Sequence, residues 1–135
     1  MILKNFLSRR GTGWWGSWLK KELTRWLIIK LGLVIGTNES EVVWNAFRFG
    51  NTSLKANHEV KVFLINKGVE IEDIKDEKYK VKEQTDLFIE NKGQILACGT
   101  CLKLREKEGS EVCPISTMKD LLKLVEESDK VLTFG

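Results

Sequence analysis

From residue 28 onward the chain alternates short apolar runs with amphipathic stretches, and that alternation predicts strands and helices in turn. Residues 28–35 form a β-branched apolar run closed by Gly36-Thr37-Asn38, the pattern of a strand buried on both faces. Residues 39–56 then place Val42, Val43, Ala46, Phe47, Gly50 and Leu54 at helical spacing, with Asn38 as the expected cap. A second strand is expected over 59–66, and the charge-rich stretch 69–91 reads as a loop followed by a helix. A third strand covers 94–98, and a short helix covers 100–107. The region 112–115 is expected to be a loop, because Pro114 cannot donate to a sheet ladder. Ser116 or Thr117 can cap a last helix in which Met118, Leu121, Leu122 and Val125 share one face, and residues 130–134 close the chain as a final strand. Strands separated by helices imply right-handed crossovers, hence an α/β fold with a mostly parallel sheet and helices on both faces.

The first thirty residues differ from this pattern. They hold four of the five tryptophans and seven Lys/Arg against one acid, whereas the rest of the chain has fifteen basic and eighteen acidic residues. The expected organisation is therefore a basic, Trp-rich extension over 1–29 and an α/β domain over 30–135. The extension's apolar stretch is broken by Arg25 and Lys30, too short and charged for a bilayer span and without the h-region of a signal peptide. Trp14, Trp15, Trp18, Leu19 and Trp26 beside Lys20, Lys21 and Arg25 fit an interfacial helix on an anionic membrane. They fit equally a contact with a neighbouring subunit, or an upstream stretch without a role.

The 135 residues, 42% hydrophobic, suffice for a core without disulfides, and three cysteines, an odd number, suit free thiols in the cytoplasm. A net charge of +3 that belongs to the extension alone carries no nucleic-acid signature. No P-loop, no G-x-G-x-x-G after a strand and no G-x-S-x-G elbow occurs, and Gly11-Thr12-Gly13 follows no strand, so no cofactor is expected.

Chemistry concentrates at Ala97-Cys98-Gly99-Thr100-Cys101. Cys98 ends a strand, where ligands of α/β sheets collect, and Gly99 and Thr100 turn the chain into a helix whose N-terminus favours a thiolate. A sulfur-transfer nucleophile needs one accessible thiolate, a requirement that Cys98 meets through its position; a dithiol redox centre needs two that can close, as Cys98 and Cys101 can. Both can also be small buried hydrophobes. Arg105 is either an anion partner one or two turns on or a solvated charge. A zinc site would need Cys98, Cys101, Cys113 and His58 together, but His58 enters the second strand at the opposite end of the sheet, so no metal is expected. The loops Thr37-Asn38 and Asn66-Lys67-Gly68 are expected to line the same edge as Cys98, Asn38 and Lys67 being supporting candidates; ordinary polar turns would look the same.

Three stretches carry a family resemblance: KLGLVIGTNESEVVWNAFRFGNTSLKANHEVKVFLINKGVE, ACGTCLKLREKEG and CPISTMKDLLKLVEESDKVLTFG. Together they resemble the DsrE/DsrF-like sulfur-relay family. The resemblance implies a flavodoxin-like α/β subunit in the cytoplasm, assembled as a homotrimer or homohexamer. It would exchange sulfur, held as a persulfide on one cysteine, with donor and acceptor proteins. Laid onto this motif, the family's active cysteine falls on Cys98. Cys101 departs from the minimal motif and reads as a resolving thiol, with Cys113 as a further candidate. A dithiol redox or thiol-sensing protein and a non-enzymatic oligomeric binding module remain as alternatives.

Overall fold

The computed structural model describes residues 14–135. The stretch Gly11-Thr12-Gly13 and the side chains of Trp14, Trp15 and Trp26 lie outside the described residues. The described chain runs α1 (Trp14–Leu27), β1 (Lys30–Ile35), α2 (Ser40–Lys55), β2 (Glu59–Leu64), a 3-10 segment (Asn66–Asp73), α3 (Val81–Glu90), β3 (Gln94–Cys98), α4 (Gly99–Leu104), β4 (Ile115–Ser116), α5 (Met118–Glu127) and β5 (Lys130–Phe134). The five strands form one sheet in the order β4-β3-β2-β1-β5, every neighbouring pair parallel. This is the flavodoxin-like α/β architecture that the family resemblance implies, with the parallel sheet that the alternation of elements predicts.

Helices cover both faces because alternate residues of a strand point to opposite sides. On β1, Leu33 lies against Gly50 of α2, which Phe88 of α3 also meets, while its neighbour Gly32 lies under Leu124 and Ser128 at the end of α5. The core is the inward side chains of β1, β2 and β3 with Val43, Ala46 and Phe47 of α2 and Phe88 of α3, all fully buried or nearly so. Phe47 and Phe88 meet edge to face at 5.4 Å, the arrangement ring quadrupoles favour, and this ties α2 to α3.

Several expectations are corrected. β1 starts at Lys30 rather than residue 28, because α1 runs to Leu27 and the Ile29 backbone is held by β2's start: its N–H donates to His58 Nδ1 at 3.1 Å and its carbonyl accepts from Glu59. The cap of α2 is Glu39 instead of Asn38; its carboxylate accepts from the N–H groups of Glu41 and Val42, where an acid also suits the helix dipole. β2 ends at Leu64, the helix after β3 spans only Gly99–Leu104, and residues 66–73 form a 3-10 segment where a loop was expected. Pro114 does not exclude a strand: β4 begins at the next residue on the sheet's edge, and the Pro114 carbonyl accepts from Ala97 at 3.0 Å. Thr117 caps α5 in a reciprocal capping box with Asp120. The apolar face expected on α5 is split, since Leu124 and Leu121 turn inward while Met118, Leu122 and Val125 are exposed.

One close approach fixes where the 3-10 segment lies. A Cβ on Gly68 would stand 2.1 Å from the Ile35 carbonyl oxygen and 2.9 Å from its carbon, both rigid backbone atoms. Gly68→Ala is therefore expected to destabilise the fold by about 3 kcal/mol, the upper end for overpacking. Lys67→Ala, at the exposed position before it, is expected to leave stability unchanged, both read from urea unfolding.

Candidate functional site

β3 delivers Cys98 to the carboxyl end of the sheet, paired in register with Ser116 of β4. Cys98 is the N-cap residue of α4, yet its side chain takes no hydrogen bond from that helix. The accessibility expected of Cys98 is not found either: the residue is 2% exposed and belongs to the core, because the strand end is covered instead of open. Cys101, one turn into α4, is only half-buried and packs against that core. Cys98, Cys101 and Cys113 are all free thiols.

The two thiols of the C-x-x-C are near enough to affect one another's ionisation. Burial, and after it the neighbouring Cys98 thiol, holds the Cys101 thiol above its usual value. Two contacts oppose that shift. The backbone N–H of Asn66 donates to Cys101 Sγ at 3.2 Å, and the Arg105 guanidinium adds positive charge nearby. Asn66 reaches this position with φ of 53°, in the left-handed region that asparagine enters more readily than most residues.

Arg105 is neither a free anion partner nor a solvated charge. Its Nε donates to Glu70 Oε1 at 2.7 Å and its Nη1 to the Cys101 carbonyl at 3.1 Å. The other oxygen of Glu70 accepts from the Asn38 side-chain amide at 2.8 Å. Asn38, after β1, is thus joined to the cysteine helix through Glu70 and Arg105, and the sheet edge expected to gather these loops does so. Lys67 points to solvent, while Gly68 is buried against β1. Gly99 packs near Ile115 and Ser116, and Thr100 is exposed on α4.

Cys113 belongs to a separate cluster. It is buried, its N–H donates to Ser110 Oγ, and the Ser110 hydroxyl donates to Glu72. Burial first, then the hydrogen bond to Glu72 and that residue's charge, push the Cys113 thiol far up, so it stays neutral. No hydrogen bond among the described residues links it to the other two thiols. His58 lies at the start of β2, at the opposite end of the sheet. Among the described residues, no group of three or more His, Cys, Asp or Glu is arranged to hold a metal ion.

Sequence reading missed Glu70, Glu72 and Asp73, because a run of charges in an expected loop gives no partner for any of them. The available signal was Val69 and Ile71, apolar anchors on either side of Glu70 directly after a strand.

The raised value at Cys101 sets a pH dependence. Less thiolate is present near neutrality than for an ordinary cysteine, so alkylation of Cys101 by iodoacetamide, followed by peptide mass spectrometry, is expected to keep accelerating beyond pH 9. Cys98→Ala removes one of the raising causes and is expected to move that rise to lower pH.

The DsrE/DsrF-like family matches residues 30–134 of this chain. Two archaeal proteins are similar over 100 residues each, 70% of this chain. One, from Methanopyrus kandleri, is 37% identical and matched over 83% of its length; the other, from Methanocaldococcus jannaschii, is 34% identical and matched over 88%. Both carry the description "uncharacterized protein". With the parallel sheet, the motif at the end of β3 and a match over most of its length, the chain belongs to the DsrE/DsrF-like family.

Proposed function

We propose that this protein is a sulfur-relay subunit that carries sulfane sulfur as a persulfide on Cys98 and passes it to an acceptor thiol. Membership of the family supports a role of the sulfur-relay type. The observation that carries the finer reading is the pair of free thiols in neighbouring contact at the end of β3, on the motif where the family resemblance places the active cysteine. In loading, the outer sulfur of a donor persulfide ends bonded to Cys98 Sγ, the donor's S–S bond breaks, and the donor leaves as a thiol that carries the proton given up by the protein. Delivery is the same exchange with the acceptor. When no acceptor is present, the Cys101 thiol attacks Cys98 Sγ, a disulfide forms and hydrogen sulfide departs. No electrons enter or leave at any of these steps.

The second reading, a dithiol redox or thiol-sensing protein, is favoured by the same contact, since closure requires two sulfurs within reach. Intact and peptide mass spectrometry after incubation with a persulfide donor separates the two. The carrier predicts an added sulfur retained on Cys98 in Cys101→Ser. A Cys98–Cys101 disulfide without any trapped persulfide would favour the redox reading.

Relay requires partners, and the reading includes donor and acceptor proteins and a homotrimer or homohexamer in the cytoplasm, with an α/β domain over 30–135 and an extension over 1–29. Among the described residues no helix is long and apolar enough to cross a membrane. On α1, exposed Trp18 beside Lys20, Lys21 and Arg25 supports docking of the extension on an acidic surface, of a membrane or of a neighbouring subunit. Self-association draws support from α5, whose exposed Met118, Leu122 and Val125 recur at helical spacing on one stripe. Leu122→Glu is expected to shift the protein to a smaller species by light scattering after gel filtration while retaining its circular dichroism spectrum; an unchanged mass would remove α5 from the interface.

A further inference from the structure

Cys98 lies in the core and Cys101 packs against that core one turn on, but they meet the outside differently. Thiol exchange needs an approach along the line of the breaking S–S bond, and a cysteine residue only 2% exposed at the end of β3 offers a bulky donor little such approach. Cys101 is half-buried at the side of α4 that meets the 3-10 segment. There the Asn66 N–H and the nearby Arg105 guanidinium can stabilise negative charge developing on its sulfur. Arg105 also holds the Cys101 carbonyl and Glu70, which makes it a positioning residue for that turn.

We infer that Cys101 is the receiving thiol and that the sulfur then moves inward to Cys98, where it is stored; this order rests on the persulfide-carrier reading above. In the first step Cys101 Sγ bonds to the outer sulfur of the donor persulfide. The donor S–S bond breaks, and the Cys101 proton ends on the departing donor thiol. In the second, Cys98 Sγ bonds to that same outer sulfur, the bond to Cys101 Sγ breaks, and the Cys98 proton passes to Cys101. Each step exchanges one persulfide for one thiol, so no oxidant or reductant is consumed. The contact between the two thiols is the path of the second step, and the burial that blocks direct loading of Cys98 shields the stored sulfur from other thiols.

The order can be read from the full chain incubated with glutathione persulfide, alkylated at timed intervals and digested with trypsin. Residues 93–103 carry both cysteines on one peptide, so fragment ions assign the added sulfur. The expected course is sulfur on Cys101 first and on Cys98 later. Cys101→Ser and Cys101→Ala should both slow loading of Cys98 by about tenfold or more. Cys98→Ser should load Cys101 at the wild-type rate and lose the sulfur faster to added glutathione. Loading of Cys98 at an undiminished rate in both folded Cys101 variants, checked by circular dichroism, would overturn the order; so would a Cys98→Ser protein that takes up no sulfur. Absence of added sulfur from every cysteine of the wild-type chain would instead overturn the carrier reading itself.

Discussion

The closeness of Gly68 to the end of β1 is the constraint on which the rest of the site depends. The Ile35 carbonyl accepts the Ile65 N–H at 3.0 Å, and Gly68 lies against the same group with no room for a side chain. With that crossing fixed, the 3-10 segment Asn66–Asp73 runs across the carboxyl ends of the strands toward α4. Its first residue puts an N–H on Cys101, and its later residues meet the chain that follows β3. A segment lifted even slightly from β1 would remove both sets of contacts at once.

Those later residues give an acidic stretch an ordering role. Glu70 holds Asn38 and Arg105, Glu72 meets Ser110 and Cys113, and Asp73 pairs with Lys107. The loop after β1, the cysteine helix and the chain leading to β4 are thereby tied to one short piece of backbone. The Glu70–Arg105 pair is partly sheltered, both side chains about three-quarters buried, so water screens it less than a surface pair. The arrangement separates the three cysteines by environment. Cys98 is in the core, Cys101 is beside a peptide N–H and a guanidinium, and Cys113 is held neutral next to a carboxylate.

The elements were legible where periodicity had room to repeat. The apolar runs at β1, β2, β3 and β5 and the helical spacing of α2 and α5 mark elements within a few residues of their observed limits, and at β1, β2, β3 and α2 burial of those side chains decides them. The Cys-x-x-Cys turn could be located for the same reason, since an apolar strand must end where Gly99 and a helix begin. Its accessibility could not, because cover over Cys98 depends on tertiary packing. The two-residue β4 is too short for any period to register, and in the 3-10 segment the apolar positions Val69 and Ile71 stand among charges. The exposed half of α5 shows a limit of another kind: Met118 and Leu122 have the spacing of a core face, and sequence alone does not distinguish a core from a contact surface.

The sheet's two margins are unlike. On one side it ends in Ile115 and Ser116, directly after a proline that offers no amide hydrogen, so an incoming strand would find almost no ladder to extend. On the other it ends in the five residues Lys130–Phe134. β3, which ends in Cys98, is one strand in from the blunt margin. Strand-by-strand stacking is therefore discouraged on the side of the sheet nearest Cys98, and any second chain that meets that flank must do so through side chains and not through a shared ladder.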